Sequence, residues 1–279
     1  MLISTKFVML TQEASTFRII INTAMSLEID KRKIIHYDAW SSLRSFTAAR
    51  IALGRTGISV PLSESLQFKM AHAHARDAVY SVLDEESLIN ALEETKQSYF
   101  VLHSTATNRN EYLQRPDLGR RLDNKSVQQL QNFSSKGFDA VIIIADGLSA
   151  IGINTHAIPV FKVLTKKLAA ANISVAPVCI VKQGRVAIAD ETGALLKAKL
   201  SLILIGERPG LSSPDSMGAY LTYDPKVGLT DESRNCISNI RPEGLNYTLA
   251  AEKIFYLINE SQRLKISGIG LKDNAGLLY

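Results

Sequence analysis

Three short strings in this sequence carry residue types that can grip a large polar ligand. Gly206-Glu207-Arg208-Pro209-Gly210 packs two glycines, a proline, a carboxylate and a guanidinium into five residues. Glycine lets a backbone come close to a bulky ligand, and a turn stiffened by proline could aim Glu207 at a hydrogen-bond donor. The same string also reads as a tight surface turn in which Glu207 pairs with its neighbour Arg208. Asp146-Gly147-Leu148-Ser149-Ala150-Ile151-Gly152 and Gly184-Arg185-Val186 supply two further glycine-bearing loops. Cys236, in Arg234-Asn235-Cys236-Ile237-Ser238-Asn239-Ile240, reads either as a nucleophile or as a small packing residue. No histidine lies near it in sequence to suggest activation.

Other chemistries lack their signatures. The 146–152 string is not GxGxxG, and no acidic residue follows at a ribose-binding distance, so a dinucleotide site is a weak reading. There is no Gly-Lys-Ser/Thr phosphate loop and no GxSxG elbow. The five histidines are His36, His72, His74, His103 and His156. His72 and His74 would point about 200° apart on a helix, so a shared metal is not expected. Arginines form a second theme, with Arg44, Arg50 and Arg55 in one stretch and Arg115, Arg120 and Arg121 in another. They read as a solvated basic face, or as an interface that pairs with an acidic partner or a phosphate.

The elements that must position these strings follow from composition and period. The chain has 279 residues, 46% apolar and 21% charged, with 16 Gly and 8 Pro. That balance excludes wholesale disorder and collagen-like character. The net charge of +5 (32 basic, 27 acidic) is too small an excess to point to nucleic acid. Two cysteines build no disulfide framework and fit a reducing compartment. No apolar run approaches the ~18–20 residues of a membrane span, and the N-terminus lacks the pattern of a secretory signal.

Residues 1–37 show no clear period and end in a charge run, so they read as a variable or disordered extension, or as a docking segment. Residues 38–95 read as helical. A first helix is expected from an Asp38 cap through Trp40, Leu43, Thr47 and Ile51, stopping near Gly54 and Gly57. A second follows Pro61 with Ser63 as cap and Leu66, Met70 and Ala73 on one stripe, running on to Val82. A third covers 85–95. Residues 96–279 alternate. Ala140–Ile144 is a β-branched run expected of a strand buried on both faces. A helix with Ile158, Phe161, Leu164 and Leu168 on one side follows. Strands are then expected over 174–181 and 199–205, a short extended piece over 186–189, and a closing helix over 248–264. This order predicts an α/β fold with a parallel or mixed sheet and helices on both faces. In such a sheet ligands bind beyond the carboxyl ends of the strands, which selects the loops at 146, 184 and 206.

At residues 44–57 (RSFTAARIALGRTG), 112–122 (YLQRPDLGRRL), 146–150 (DGLSA), 184–186 (GRV), 206–210 (GERPG) and 234–240 (RNCISNI), the sequence resembles the small (light) subunit of ethanolamine ammonia-lyase, from about residue 38 to about 271. The resemblance implies a helical N-terminal part over 38–95 and a Rossmann-like, cobalamin-binding domain with a mostly parallel sheet over 96–279. It implies an adenosylcobalamin-dependent carbon–nitrogen lyase that converts ethanolamine to acetaldehyde and ammonia by radical chemistry. This chain would bind and cover the cobalamin at the interface with a large subunit that holds most catalytic residues, in a hetero-oligomer active only when both are present. The cofactor contacts it implies are Val186, Glu207 and Cys236, with no catalytic residue and no metal ligand in this chain. The Asp-x-His-x-x-Gly string that supplies a histidine to cobalt is missing, which implies a base-on cobalamin with its own dimethylbenzimidazole ligand. No nucleic-acid or membrane partner is implied. The setting implied is cytoplasmic, of the kind that related operons enclose in a bacterial microcompartment.

Overall fold

The structure is a computed structural model that describes residues 35–133 and 137–274. The extension expected over residues 1–37 lies outside the described residues except for its last three positions. The described chain falls into two compact units, one ending at Met70 and the other beginning at Ala71.

In the first unit the backbones of His36 and Arg55 pair, with N–O distances of 2.8 and 2.9 Å. The helix expected from Asp38 to Ile51 is not formed. Only a six-residue 3-10 turn, Ser41–Phe46, stands there. The Asp38 carboxylate does accept from Trp40 N at 2.8 Å, yet nothing extends the turn. Trp40, Leu43 and Phe46 are exposed, so no packed face supports a helix. The Ser45 hydroxyl donates to Ser42 O and the Thr47 hydroxyl accepts from Ala49 N, local bonds that compete with helical ones. Helix α1, Leu62–Tyr80, starts directly after Pro61, so Ser63 lies inside it rather than capping it, and Val82 lies beyond its end. Leu66, Met70 and Ala73 are exposed.

The second unit continues with α2, Glu85–Glu94, capped by the Asp84 carboxylate, which accepts from Ser87 N at 3.1 Å. Then follow β1 (Tyr99–His103), α3 (Arg109–Gln114), α4 (Asn124–Gln131), β2 (Phe138–Ala145), α5 (Ala150–Ala170), β3 (Val178–Lys182), α6 (Ile188–Leu195), β4 (Ala198–Gly206), β5 (Met217–Tyr223), β6 (Arg234–Ile240) and α7 (Tyr247–Leu264). The strands form one six-stranded sheet in the order β1-β3-β2-β4-β5-β6. The β1–β3, β3–β2 and β2–β4 pairs are parallel, whereas β4–β5 and β5–β6 are antiparallel. The sheet is therefore mixed, and the expectation of a mostly parallel sheet is corrected on its β5–β6 side. The sequence reading did not identify β1, β5 or β6. The segment at 186–189, expected to be extended, is instead a run of tight turns (Ile188 N to Arg185 O, Ala189 N to Val186 O) that winds into α6.

Successive residues of a strand face opposite ways, and β2 shows it. Ala140, Ile142 and Ile144 join one core with Val160, Phe161, Leu164 and Leu168 of α5 and Ile254, Leu257 and Ile258 of α7. Val141, Ile143 and Ala145 join a second core with Leu130 of α4 and Ile188 and Ala189 of α6. A sheet covered on both faces in this way presents its free functional surface at the strand ends.

Candidate functional site

The loops at the carboxyl ends of β2 and β4 touch backbone to backbone. Leu148 N donates to Gly206 O at 2.9 Å. Gly147 has φ +58°, and a Cβ there would run into the carbonyl of Gly206; a Cβ at Gly206 would run into the carbonyls of Ser149 and Asp146. Both positions thus require glycine for close approach, and the turn at Gly147 requires it for its conformation as well.

Asp146 anchors the third loop. Its carboxylate is buried and accepts from Gln183 N at 3.0 Å and Gly184 N at 3.1 Å. Burial pushes its carboxyl up from the ordinary value, opposed by those backbone donors and by Arg109, whose Nη1 lies 3.7 Å away. Arg109 also donates to Gly147 O at 2.8 Å. Tyr112 is buried, donates to Gly184 O at 3.1 Å, and has the guanidiniums of Arg185 and Arg109 at 4.2 and 4.7 Å from its ring centre. Arg185 N donates to Gly119 O at 2.7 Å, and a Cβ at Gly119 would collide with the Arg185 side chain. Four strings far apart in sequence, at 112–122, 146–150, 184–186 and 206–210, therefore brace one another.

Between them opens a concavity of about 400 Å³, lined by Leu148, Arg185, Val186, Ile205, Gly206, Glu207, Arg208 and Tyr220. Val186 and Glu207 thus share one surface. Glu207 is held by its N–H on Ser216 O at 3.0 Å and by Asn239 N donating to Oε2 at 3.1 Å. Its Oε1 lies over Gly218, where a Cβ would come within 2.9 Å of it. The loop that carries it is fastened by the Ser149 hydroxyl donating to Pro214 O at 2.9 Å. The carboxylate is accordingly laid across β5 toward β6. Cys236 stands on β6 directly opposite Tyr220, which lines the concavity, while Cys236 itself does not. Cys236 is exposed. Loss of solvation pushes its thiol up, the Tyr220 hydroxyl opposes this, and Glu207 adds to it.

His72 and His74 are exposed on α1. Among the described residues no group of His, Cys, Asp or Glu is placed to hold a metal ion, and no helix is long and apolar enough to cross a membrane. Sequence reasoning missed Arg109, the roles of Asp146 and Tyr112 as braces, and Gly218. Tyr112 and Asp146 stood inside strings already singled out. Gly218 carried no signal, because its use depends on a strand pairing that the sequence did not show.

A family model described as ethanolamine ammonia-lyase light chain (EutC) matches residues 37–272. The chain is 54% identical over 239 residues to an ethanolamine ammonia-lyase small subunit of Pseudomonas putida strain W619, covering 85% of this chain and 88% of that one. It is 52% identical over 239 residues to the protein of the same name in Pseudomonas fluorescens strain SBW25 (85% and 86% covered). It is also 52% identical over 241 residues to the one in Pseudomonas syringae pv. tomato (85% and 84% covered).

Proposed function

The chain belongs to the ethanolamine ammonia-lyase light-chain family, and from that premise we propose that it is the small subunit of an adenosylcobalamin-dependent enzyme that converts ethanolamine to acetaldehyde and ammonia. In this reading the chain binds and covers the cobalamin where it meets the large subunit, and the complex works in the cytoplasm. When bound, the cofactor supplies the radical chemistry by opening its cobalt–carbon bond.

The residues present fit such a group. A corrin is a broad apolar plane with an amide-bearing rim, and it calls for a wide lip of backbone with a few directed acceptors. The concavity offers that lip. Gly206 supplies backbone to its lining, Gly218 leaves room for the Glu207 side chain, and Val186 and Tyr220 add apolar area. Glu207 supplies a fixed acceptor for an amide or a hydroxyl. The Cys236 thiol gives a weakly polar contact beside it. The Rossmann-like character implied by the family rests on the parallel half of the sheet, β1-β3-β2-β4. For the partner, the exposed Trp40, Phe46, Ile58, Val60 and Leu62 of the first unit are the kind of apolar surface that a subunit interface buries. The observation that carries the reading is the meeting of Val186 and Glu207 on one surface, with Cys236 next to it.

The test is cobalamin affinity of the assembled complex. Glu207→Ala should lose one directed hydrogen bond, on the order of 1–3 kcal/mol, or about 5- to 150-fold in Kd, without unfolding the chain. Unchanged affinity would remove Glu207 from the site. No residue of this chain ligates cobalt in this reading, because Asp146 is followed by Gly147 and Leu148 and spends its carboxylate on the 183–184 backbone. Labelling the protein uniformly with nitrogen-15 should therefore leave the axial-nitrogen splitting of bound cob(II)alamin unchanged in its EPR spectrum. An altered splitting would mean that a protein nitrogen had replaced the benzimidazole.

A further inference from the structure

A second depression, of about 620 Å³, lies against the first and shares Arg185 and Val186 with it. Its lining includes Asp190 of α6 and Arg234 at the start of β6, with Pro116, Val227 and Leu229 as apolar lining. Asp190 and Arg234 form a buried ion pair, Oδ2 to Nη2 2.8 Å, with side chains 2% and 3% exposed. The second Arg234 anchor is backbone, as Nη2 and Nη1 also donate to Leu229 O and Thr230 O. The pair is incompletely satisfied. Asp190 Oδ1 and Arg234 Nε are buried without a hydrogen-bond partner. The nearest carboxylate to Nε belongs to the exposed Asp231, at 3.7 Å, too far for a hydrogen bond.

Buried polar atoms are normally paired, and an orphan calls for an explanation. Here the two orphans are one acceptor and one donor on adjoining side chains. That is the complement of a primary carboxamide, whose N–H donates to a carboxylate oxygen and whose carbonyl accepts from a guanidinium N–H. The lining also carries Arg120, Arg121 and Asp231, but at the Asp190 oxygen itself a ligand carboxylate would meet repulsion where an amide N–H would donate, so that contact favours the neutral amide. The apolar lining suits a methylene stem. Because the depression adjoins the concavity at Val186, a ligand lying over Val186 can reach into it with a side arm. We infer that this depression receives one of the carboxamide arms of the corrin rim, with Asp190 accepting from its N–H and Arg234 donating to its carbonyl. This rests on the cobalamin reading above and extends it to two residues outside the set Val186, Glu207 and Cys236.

The test uses the assembled complex of both subunits. It compares the binding of cyanocobalamin with that of its isomeric monocarboxylic acids, each with one corrin amide hydrolysed, by equilibrium dialysis. For the unaltered chain, at least one acid should bind about tenfold or more weakly than the parent. In Asp190→Asn that penalty for the same acid should shrink to less than about threefold, whereas Glu207→Ala should weaken parent and acid alike. Should Asp190→Asn fail to fold, the neutral pair Asp190→Asn with Arg234→Gln, which strands no buried charge, takes its place with the same expected loss of discrimination. Equal binding of every acid by the unaltered complex, or discrimination retained in the Asp190 variants, would overturn the inference. A complex that binds no cobalamin at all would overturn the underlying reading instead, so the two failures are told apart.

Discussion

Glycine at 147 and 206 does more than relax a turn: each stands where another loop's carbonyl takes the room of a side chain. Gly147→Ala should cost about 2 kcal/mol or more, from the left-handed backbone and the collision with Gly206 O together. Urea unfolding of the variant measures it, and a midpoint equal to the parent's would show that the two loops are not in contact. At this scale the sequence made the strings legible but not their duties. Glu207 was read as aimed at a ligand's donor or as paired with Arg208, and in the structure one of its oxygens accepts from the N–H of Asn239 within the chain. Asp146 was read only as the head of a glycine-bearing loop, whereas in the structure it is a buried acceptor that holds the 183–184 backbone. Arg109 was passed over, because its partners at residues 79 and 147 lie 30 and 38 positions away. Such separations leave no mark in a local pattern.

At the scale of elements, what could be read was what is long and buried. The runs in β2 and β4 and the stripes of α5 and α7 sit in the two cores and repeat with a clean period. Of the strands that escaped, β6 is rich in polar residues and largely uncovered, while β5 is buried but interrupts its apolar residues with Gly218, Tyr220 and Thr222, so neither shows a continuous apolar run. The helix expected over 38–51 had the right spacing and the wrong surroundings: without a packed face, its serine and threonine hydroxyls take the backbone bonds instead. One tie between elements is testable by pH. Asp139, at the start of β2, accepts from the Ser174 hydroxyl at 2.7 Å and from Lys199 of β4 at 2.9 Å. The Ser174 bond, with help from Lys199, holds its carboxyl down at about 2, against an ordinary 3.8. A carboxyl lowered on folding contributes stability above its unfolded value, and loses it as the pH falls through the folded one. Asp139→Asn should therefore destabilise at neutral pH by about 1 kcal/mol. The gap to the parent should close between about pH 4 and pH 2. A gap independent of pH would show that the charge is not what matters.

For the whole molecule, the order of strands and helices selected the loops at the carboxyl ends of the strands, and the structure brings those at 146, 184 and 206 together. The reversal of direction at β5 did not follow, and it is what brings Cys236 alongside Tyr220 and lets Glu207 lie over Gly218. Of the basic residues, Arg109 and Arg185 brace a loop and Arg234 is paired in a wall. In the proposed reading a large subunit covers the surface of this site, which is why a partner belongs to the account. The measurement that tests this most directly is acetaldehyde formation from ethanolamine with added adenosylcobalamin, by the large subunit alone, by this chain alone and by the two together. The account predicts turnover only from the two together; full-rate turnover by the large subunit alone would contradict it.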